Sequence, residues 1–565
     1  LTKVFARIIG GSLTGGLEAH ILKGFSSEDV RIGSITIVQG RKYLFLALIS
    51  NIKLNPGSDI ASSIVRGENG FSEDMRLAQN YVADGLKREG VLGAELSLIP
   101  VAIFRDDRTE IADSLPELMS LVRAPGEEDL KLFYGGVDHR RFWDIGLPKS
   151  PITAENVNVH IPIDVDRLVR GCFAIFGKSG TGKTFLGNLI ATYIVLANIS
   201  GAFEKKVKLL IFDMHSEYGL MVKDQKGDEY AEGVGLAFKS EFLRYTPDMA
   251  LAKECNLEPF KVNYRRITIS DLLASGDALG LTRNFMDLLP SFVNYLKSRG
   301  FKSNWLKAIC GFIELSDDEK VRKELRERFG IGALSSLLSA RARLQILKRF
   351  EFISWGDDEE EDSASNIIQE LLDGYKHVIV SFGRYGDNRI AYMLITNIIA
   401  RRLWMESIRR IMMGKQLNCR VTIFLEEAHK FLGPKFYYMT PFGDIARELR
   451  KRGIILCIID QRPSQIFEDV RAMLWNNFVM CLTDEKDVEA ASKGLPFPRL
   501  FKPIIENLKR REVLIFGEAI SIPSIVRVKD YKITIRDAKK FYEKRLSEDE
   551  SSKLMEQYGY GVKEK

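Results

Sequence analysis

Residues 177–184 read Gly-Lys-Ser-Gly-Thr-Gly-Lys-Thr. They follow a short apolar run, Cys172–Phe176, and precede an apolar-periodic stretch from Phe185 to Ala197. A glycine, four intervening residues and Gly-Lys-Thr, set between a strand and a helix, are what a phosphate-binding loop requires. Glycines let the backbone curl so that its N–H groups face phosphate oxygens, and the helix that opens there carries partial positive charge at its start. Gly177, Ser179, Gly180, Thr181, Gly182 and Phe185 would line the nucleotide. Lys183 would reach the β- and γ-phosphates, and the Thr184 hydroxyl would hold Mg²⁺. The implied chemistry is hydrolysis of a nucleoside triphosphate, with ATP and Mg²⁺ as cofactors.

Cleaving a triphosphate also requires acids. The apolar run Val421–Leu425 ends in Glu426-Glu427-Ala428-His429. Ligands in open α/β sheets sit at the carboxyl ends of the strands. Glu426 would complete the Mg²⁺ shell and Glu427 would polarise the attacking water. Two acids opening a surface helix would have the same appearance, since the helix dipole favours them. Another apolar run, Ile454–Ile459, ends in Asp460-Gln461-Arg462-Pro463; Gln461 would sense the γ-phosphate, or else belong to a polar turn stopped by proline. Asp213 and Glu217 follow the run Val207–Phe212 toward the same edge and fit a hydrogen-bonding role as well as a catalytic one. The stretch Asp444–Gly453 is a basic helix. In a ring its arginines would reach the nucleotide of the next subunit; otherwise they form a solvated face.

The elements that must position these groups fall into two textures. From residue 1 to about 145 the runs are short, β-rich and bounded by glycine, asparagine or proline: Phe5–Ile9, Ser34–Val38, Tyr43–Ile49 and Leu96–Ala102. That pattern predicts a small β-barrel or sandwich, with a helix inserted over Ser72–Arg88. Pro148–Pro162 reads as an extended connector. Beyond it, near-continuous apolar strands alternate with helices, adding Val378–Phe382 and Val513–Phe516 to those above. This is the mark of a mostly parallel sheet covered on both faces, an α/β fold. Residues 280–350 are helix-rich, and the acidic block 357–362 reads as a solvated loop. The expected organisation is a barrel over 1–145, a first part of the ATPase core over 146–270, a helical insertion over 271–370, a second part over 371–530 and a charged tail over 531–565.

Composition agrees with a globular protein: 565 residues, 45% hydrophobic and 28% charged, with a net charge of +6. Six scattered cysteines without a C-x-x-C pair read as buried thiols of an intracellular protein. The histidines have no metal-ligand spacing. No run approaches the roughly 18 apolar residues of a membrane span, so a cytoplasmic protein with no membrane partner is expected.

Taken in order, the β-module, Gly177–Thr184, Phe212–Tyr218, Phe424–His429, Gln461-Arg462-Pro463 and a late Gly517-Glu518-Ala519 to Val526 resemble the HerA family of the HerA/FtsK superfamily. The resemblance covers most of residues 1–530. It implies a RecA-like P-loop ATPase domain behind a HAS-type barrel, in a homo-hexameric ring that translocates double-stranded DNA. It implies that Glu426 and Glu427 are the acidic pair, with Glu427 catalytic and Gln461 the sensor. Arg450 best matches the trans-acting arginine, Arg447 is second, and Arg170 matches another interfacial arginine. A NurA-like nuclease, or another effector, would dock on the barrel for DNA end processing and repair. The resemblance also admits an antiviral defence motor or a secretion or conjugation ATPase of the same superfamily. In a ring, the loop Gly433–Thr440 would face the pore, with Lys435 touching DNA phosphate and its aromatic pair at the pore or at a subunit contact. The stretch from Arg401-Arg402 to Arg409-Arg410 reads as a solvated helix face.

Overall fold

A computed structural model describes residues 3–55, 93–149, 159–223, 228–311, 319–357 and 362–557. The helix expected over Ser72–Arg88 lies outside the described residues, as does most of the acidic block.

The amino-terminal strands are β1 (Val4–Ser12), β2 (Gly16–Ile21), β3 (Ile35–Gln39), β4 (Leu44–Asn55), β5 (Gly93–Arg105), β6 (Arg108–Ile111) and β7 (Leu121–Arg123). Their order is β2-β1-β7-β3-β4-β5, and β2 also pairs with β5, so six strands close into a barrel with β6 added at one side. Closure leaves no open edge within the six. The period-two alternation divides each strand between two cores. Phe45, Ala47 and Ile49 of β4 fill the barrel, whereas Leu46 and Leu48 face outward and join the large core of the rest of the chain. Ile35 and Ile37 of β3 and Ile99 and Val101 of β5 do the same. Both faces of these strands are therefore apolar, because the barrel is packed inside and out.

Two further strands, β8 (Phe142–Pro148) and β9 (Ile161–Asp164), precede the phosphate loop. The region expected to be a connector thus has a strand at each end; residues 150–158 lie outside the described residues. Then come β10 (Cys172–Phe176), β11 (Val207–Asp213), a hairpin of β12 (Met221–Lys223) and β13 (Glu229–Glu232), β14 (Phe242–Thr246), β15 (Glu258–Pro259) and the short pair β16 (Val262–Asn263) and β17 (Ile353–Ser354). The series ends with β18 (His377–Ser381), β19 (Arg420–Glu426), β20 (Ile454–Asp460), β21 (Leu474–Val479), β22 (Glu512–Gly517) and β23 (Ser524–Val528). The main sheet runs β15-β14-β18-β11-β19-β20-β10-β21-β22-β23-β8-β9. It is parallel from β15 to β21 and antiparallel from β22 onward. The parallel strands β10, β11, β18 and β20 are buried along their whole length, as strands covered on both faces must be. This is a RecA-like α/β core carrying an amino-terminal barrel.

The stretch between β16 and β17 holds the helices Arg283–Ser298, Glu319–Phe329 and Ile331–Leu344 among others. The helix Arg389–Met412 is ion-paired rather than freely solvated along its basic stretch. Arg401 pairs with the fully buried Asp271 at 2.7 Å, Arg402 with Asp362, and Arg410 with Asp373 at 2.6 Å. The acidic block is likewise engaged at its ends, Asp357 taking Arg265 and Lys307 at 3.0 Å each. The carboxy-terminal helix Tyr531–Gln557 lies against the core, with Tyr531, Ile535, Ala538 and Tyr542 buried. All six cysteines are free, and all but Cys255 are buried. Among the described residues, no helix is long and apolar enough to cross a membrane.

Candidate active site

The phosphate loop leaves β10 at Gly177. Its first two residues are stitched to the ends of the neighbouring strands: the Gly177 N–H donates to the Asp460 carbonyl of β20 at 3.2 Å and the Lys178 N–H to the Cys481 carbonyl just beyond β21 at 2.9 Å. Gly182 has φ 109°, a backbone state that disfavours any side chain, and it caps the helix Lys183–Ile199. The Lys183 ammonium donates to the carbonyls of Gly177 (2.8 Å) and Lys178 (3.1 Å), so it is folded over the loop. Burial lowers its pKa, while Glu427, Asp460 and Glu426 pull the other way.

The loop sits on one side of β20 and the acidic pair on the other, since β20 pairs with both β10 and β19. Strand ends therefore bring residues 250 positions apart into one cleft of about 340 Å³, lined by Ser179, Lys183, Thr184, Glu217, Glu426, Glu427 and Gln461 among others. Gly180, Gly182 and Phe185 also face it.

Glu426 is 5% exposed. Burial raises its pKa well above the usual carboxylate range, and Asp213 and Glu217 raise it further. Its carboxylate accepts from the Met214 N–H at 3.1 Å, and its carbonyl from the Tyr392 hydroxyl at 2.8 Å. Glu427 has φ 48°, an uncommon state for a residue with a side chain. Its carboxylate accepts from Gln461 Nε2 at 3.1 Å. His429 is turned to Asp460, with Nδ1 3.0 Å from the carboxylate and its N–H donating at 2.7 Å.

Asp213 is fully buried and accepts from the N–H groups of Glu217 (2.8 Å), Tyr218 (3.1 Å) and Gly219 (2.8 Å) and from the Ser381 hydroxyl (2.8 Å). Burial pushes its pKa up to about 6 against these donors. Of the two roles left open for Asp213, this geometry fits the hydrogen-bonding one. The loop it folds presents Glu217, whose carboxylate accepts from the Lys223 N–H at 3.1 Å. Tyr218 packs against Gly187, where a Cβ would stand 2.0 Å from the tyrosine oxygen. That glycine lets the loop lie directly on the phosphate-loop helix.

The residues suit Mg²⁺. The Thr184 hydroxyl and Glu426 share one cleft as hard oxygen donors. Glu426 is a buried carboxylate beside two others, an arrangement that a bound cation would relieve.

Arg170 and Arg447 do not line this cleft. Arg170 precedes β10 and pairs with Asp166, about 20 Å of strand from the loop. Arg447 pairs with Asp444 at 2.6 Å, and Arg450 lies in the helical turn Arg450–Arg452 before β20, again at the strand starts. Lys435 is exposed and pairs with Asp277. Of the aromatic pair in its loop, Tyr437 is buried against Phe467 and Tyr438 is 72% exposed.

Sequence reasoning missed Arg510, which lines the cleft although it lies just before β22. Its neighbour Arg511, with φ 70°, donates its N–H to the Thr181 carbonyl at 3.4 Å. The signal available was the Arg510-Arg511 pair entering a β-strand.

Comparison with known proteins points the same way. The family model described as "Helicase HerA, central domain" matches residues 150–403. The DNA double-strand break repair helicase HerA of Pyrococcus furiosus is 22% identical over 413 residues, covering 66% of this chain and 68% of that one. HerA of Sulfurisphaera tokodaii is 23% identical over 401 residues with the same coverage. VirB4 of Thermoanaerobacter pseudethanolicus aligns in space with a TM-score of 0.45 at 13% identity, over 70% of this chain and 98% of that one. With its phosphate loop, its acidic strand end and this matched central domain, the chain is similar to the HerA helicases.

Proposed function

We propose that the protein is a cytoplasmic ATP hydrolase that assembles as a hexameric ring, translocates double-stranded DNA, and passes DNA ends to a NurA-like nuclease or another effector docked on the barrel. The observation that carries the hydrolase reading is the meeting of Lys183, Thr184, Glu426, Glu427 and Gln461 in one cleft from three separate strand ends. The loop N–H groups bind the phosphates. Lys183 exchanges the carbonyls of Gly177 and Lys178 for β- and γ-oxygens. Glu427 accepts hydrogen from the attacking water, and Gln461 fixes the Glu427 carboxylate through its 3.1 Å hydrogen bond. Magnesium held by Thr184 and Glu426 would neutralise charge on the β- and γ-phosphates.

The ring is supported by position. Arg170 and Arg450 precede β10 and β20 while the phosphate loop follows β10, so an arginine finger from either is better supplied by a second copy. The names of the relatives support DNA as the partner.

Glu427→Gln tests the chemistry. It should keep nucleotide affinity and lose about 10²–10⁴ in turnover, the usual contribution of a positioned base. Turnover at the wild-type rate would remove Glu427 from its role. Linear duplex DNA should stimulate hydrolysis in the wild type, with binding that weakens steeply as salt rises and is indifferent to sequence. An ATPase rate unaffected by duplex DNA at low salt would argue against the motor.

A further inference from the structure

Charge is spread unevenly along this chain. Residues 280–350 carry fourteen Lys and Arg against seven Asp and Glu, a surplus larger than the net +6 of the whole molecule. They belong to the insertion between β16 and β17. Those two strands pair with each other, Val262 with Ile353 and Asn263 with Ser354, so the insertion leaves and rejoins the core at one place. Its helices pack on an aromatic centre. Phe329 of the helix Glu319–Phe329 meets Phe292 at 6.3 Å and Tyr295 at 6.0 Å, both on the helix Arg283–Ser298. Arg299, just past that second helix, pairs with Glu324 in the middle of the first. The contact gathers four more cations. Lys297 and Lys302 flank Arg299 in the chain, and Lys323 and Arg326 flank Glu324. All four are exposed, and none has an ion pair or side-chain hydrogen bond among the described residues. Glu327 stands one helical turn beyond Lys323 and forms no ion pair with it.

A cluster of solvated cations draws polyanions, and what the surface lacks narrows their kind. The rings of the insertion face inward: Phe292, Tyr295 and Trp305 are buried, and among the described residues of 280–350 no aromatic side chain is exposed. There is no platform on which the unpaired bases of a single strand could stack. Leu338 is the one large apolar side chain exposed there among the described residues, so the buried anchors of a protein interface and the apolar face of a membrane-binding helix are both missing. Lysine and arginine without such companions suit phosphate oxygens rather than base edges. Duplex DNA presents phosphate charge at a density of about one per 1.7 Å of axis.

We propose that this tip of the insertion, through Lys297, Lys302, Lys323 and Arg326, is a sequence-independent contact for the phosphate backbone of duplex DNA. The assignment rests on the reading of duplex DNA as the partner and gives that partner a surface apart from the loop Gly433–Thr440.

The test measures binding of a short linear duplex to the full-length protein over a salt series. Four proteins are compared. The first is wild type. The second carries Lys297→Gln, Lys302→Gln, Lys323→Gln and Arg326→Gln. The third keeps the charge, with Lys297→Arg, Lys302→Arg, Lys323→Arg and Arg326→Lys. The fourth loses the same charge from the carboxy-terminal helix, through Arg536→Gln, Lys540→Gln, Lys544→Gln and Arg545→Gln. The second should bind at least about tenfold more weakly at moderate salt. The slope of its log affinity against log salt should be shallower by about 2–4, since each phosphate contact contributes about 0.9. The third and fourth should stay close to wild type. Wild-type affinity in the second protein overturns the proposal, as does an equal loss in the third, which would make the effect one of packing, or in the fourth, which would make it one of net charge. A larger loss on a single strand of the same length than on the duplex overturns the choice of duplex. Wild type that holds no duplex even at low salt would instead remove the reading of DNA as the partner, and this proposal with it.

Discussion

Glu426 and Glu427 are adjacent in the chain and opposite in circumstance. Glu426 closes the strand and is buried against Asp213 and Glu217, where charge is disfavoured until a cation arrives. Glu427, one step on, has left the strand through a left-handed backbone and holds its carboxylate toward Gln461. Non-glycine residues in that region carry strain of about 1–3 kcal/mol and cluster where geometry serves function. The hydrogen bond from Gln461 is what orients the carboxylate, so the Gln461→Ala variant should lower kcat by about tenfold with nucleotide affinity unchanged. Steady-state kinetics beside a binding titration would check this, and a loss of affinity matching the loss of kcat would assign Gln461 to the phosphates instead. Glu426, Glu427 and Gln461 were legible in the sequence because each stands at or just beyond the end of an apolar strand, where the fold class itself dictates a ligand edge. Arg510 was not. Its approach to the cleft depends on β22 and β23 returning antiparallel, an event with no periodicity to read.

Elements do the positioning. β20 separates the phosphate loop from the acids by one strand, and the loop Asp213–Gly219 is folded around the Asp213 carboxylate onto the helix that follows the phosphate loop. The parallel strands were readable as unbroken apolar runs, and the barrel as short β-rich ones. The strands flanking 150–158 were not, because Pro148 and Pro162 masked short strands at the rim of the sheet. One element carries a titration. His377 opens β18, fully enclosed, and its Nδ1 accepts the Leu209 N–H of β11 at 3.0 Å. Burial, with help from Lys208 and Lys206, lowers its pKa to about 3. The unfolded chain would take up this proton near pH 6.5 while the folded chain refuses it until about pH 3. This contribution to stability is therefore complete above pH 6.5 and is lost as pH falls through that window, by at most about 1.4 kcal/mol per pH unit. Denaturant unfolding of wild type and His377→Gln between pH 7 and pH 4.5 should show a shallower pH dependence in the variant, whose amide oxygen still accepts from Leu209. Parallel profiles would mean that the ring is not held neutral.

At the scale of the molecule, one observation bears on assembly and one on integrity. Arg450 precedes β20, at the end of the strand away from the phosphate loop, so in a ring Arg450→Ala copies mixed with Glu427→Gln copies should recover turnover at the interfaces where intact groups meet. Mixing that never exceeds the sum of the two separate rates would make the arginine's role internal to one chain. Integrity concerns the carboxy-terminal helix. Its composition reads as a charged tail, since most of its residues are polar and the apolar ones are sparse. The structure shows why those few matter. Tyr531, Ile535, Ala538 and Tyr542 form one buried stripe at helical spacing. Polar contacts flank it: Lys539 pairs with Glu232 at 2.6 Å, and the Tyr542 hydroxyl donates to Glu241 at 2.7 Å. Tyr531, the first residue of the helix, donates its hydroxyl to the Glu232 carbonyl of β13 at 2.9 Å. A chain shortened after residue 545 retains the whole stripe and should melt and bind nucleotide as the full chain does. A chain shortened after residue 530 loses three large buried side chains, each contributing about 1.5–3 kcal/mol. It also releases the β12–β13 hairpin, which Tyr531 and Lys539 hold through Glu232. That variant should melt several degrees lower and hold ATP more weakly, while the shorter truncation does neither. Equal behaviour of the two would make the helix an appendage of the core.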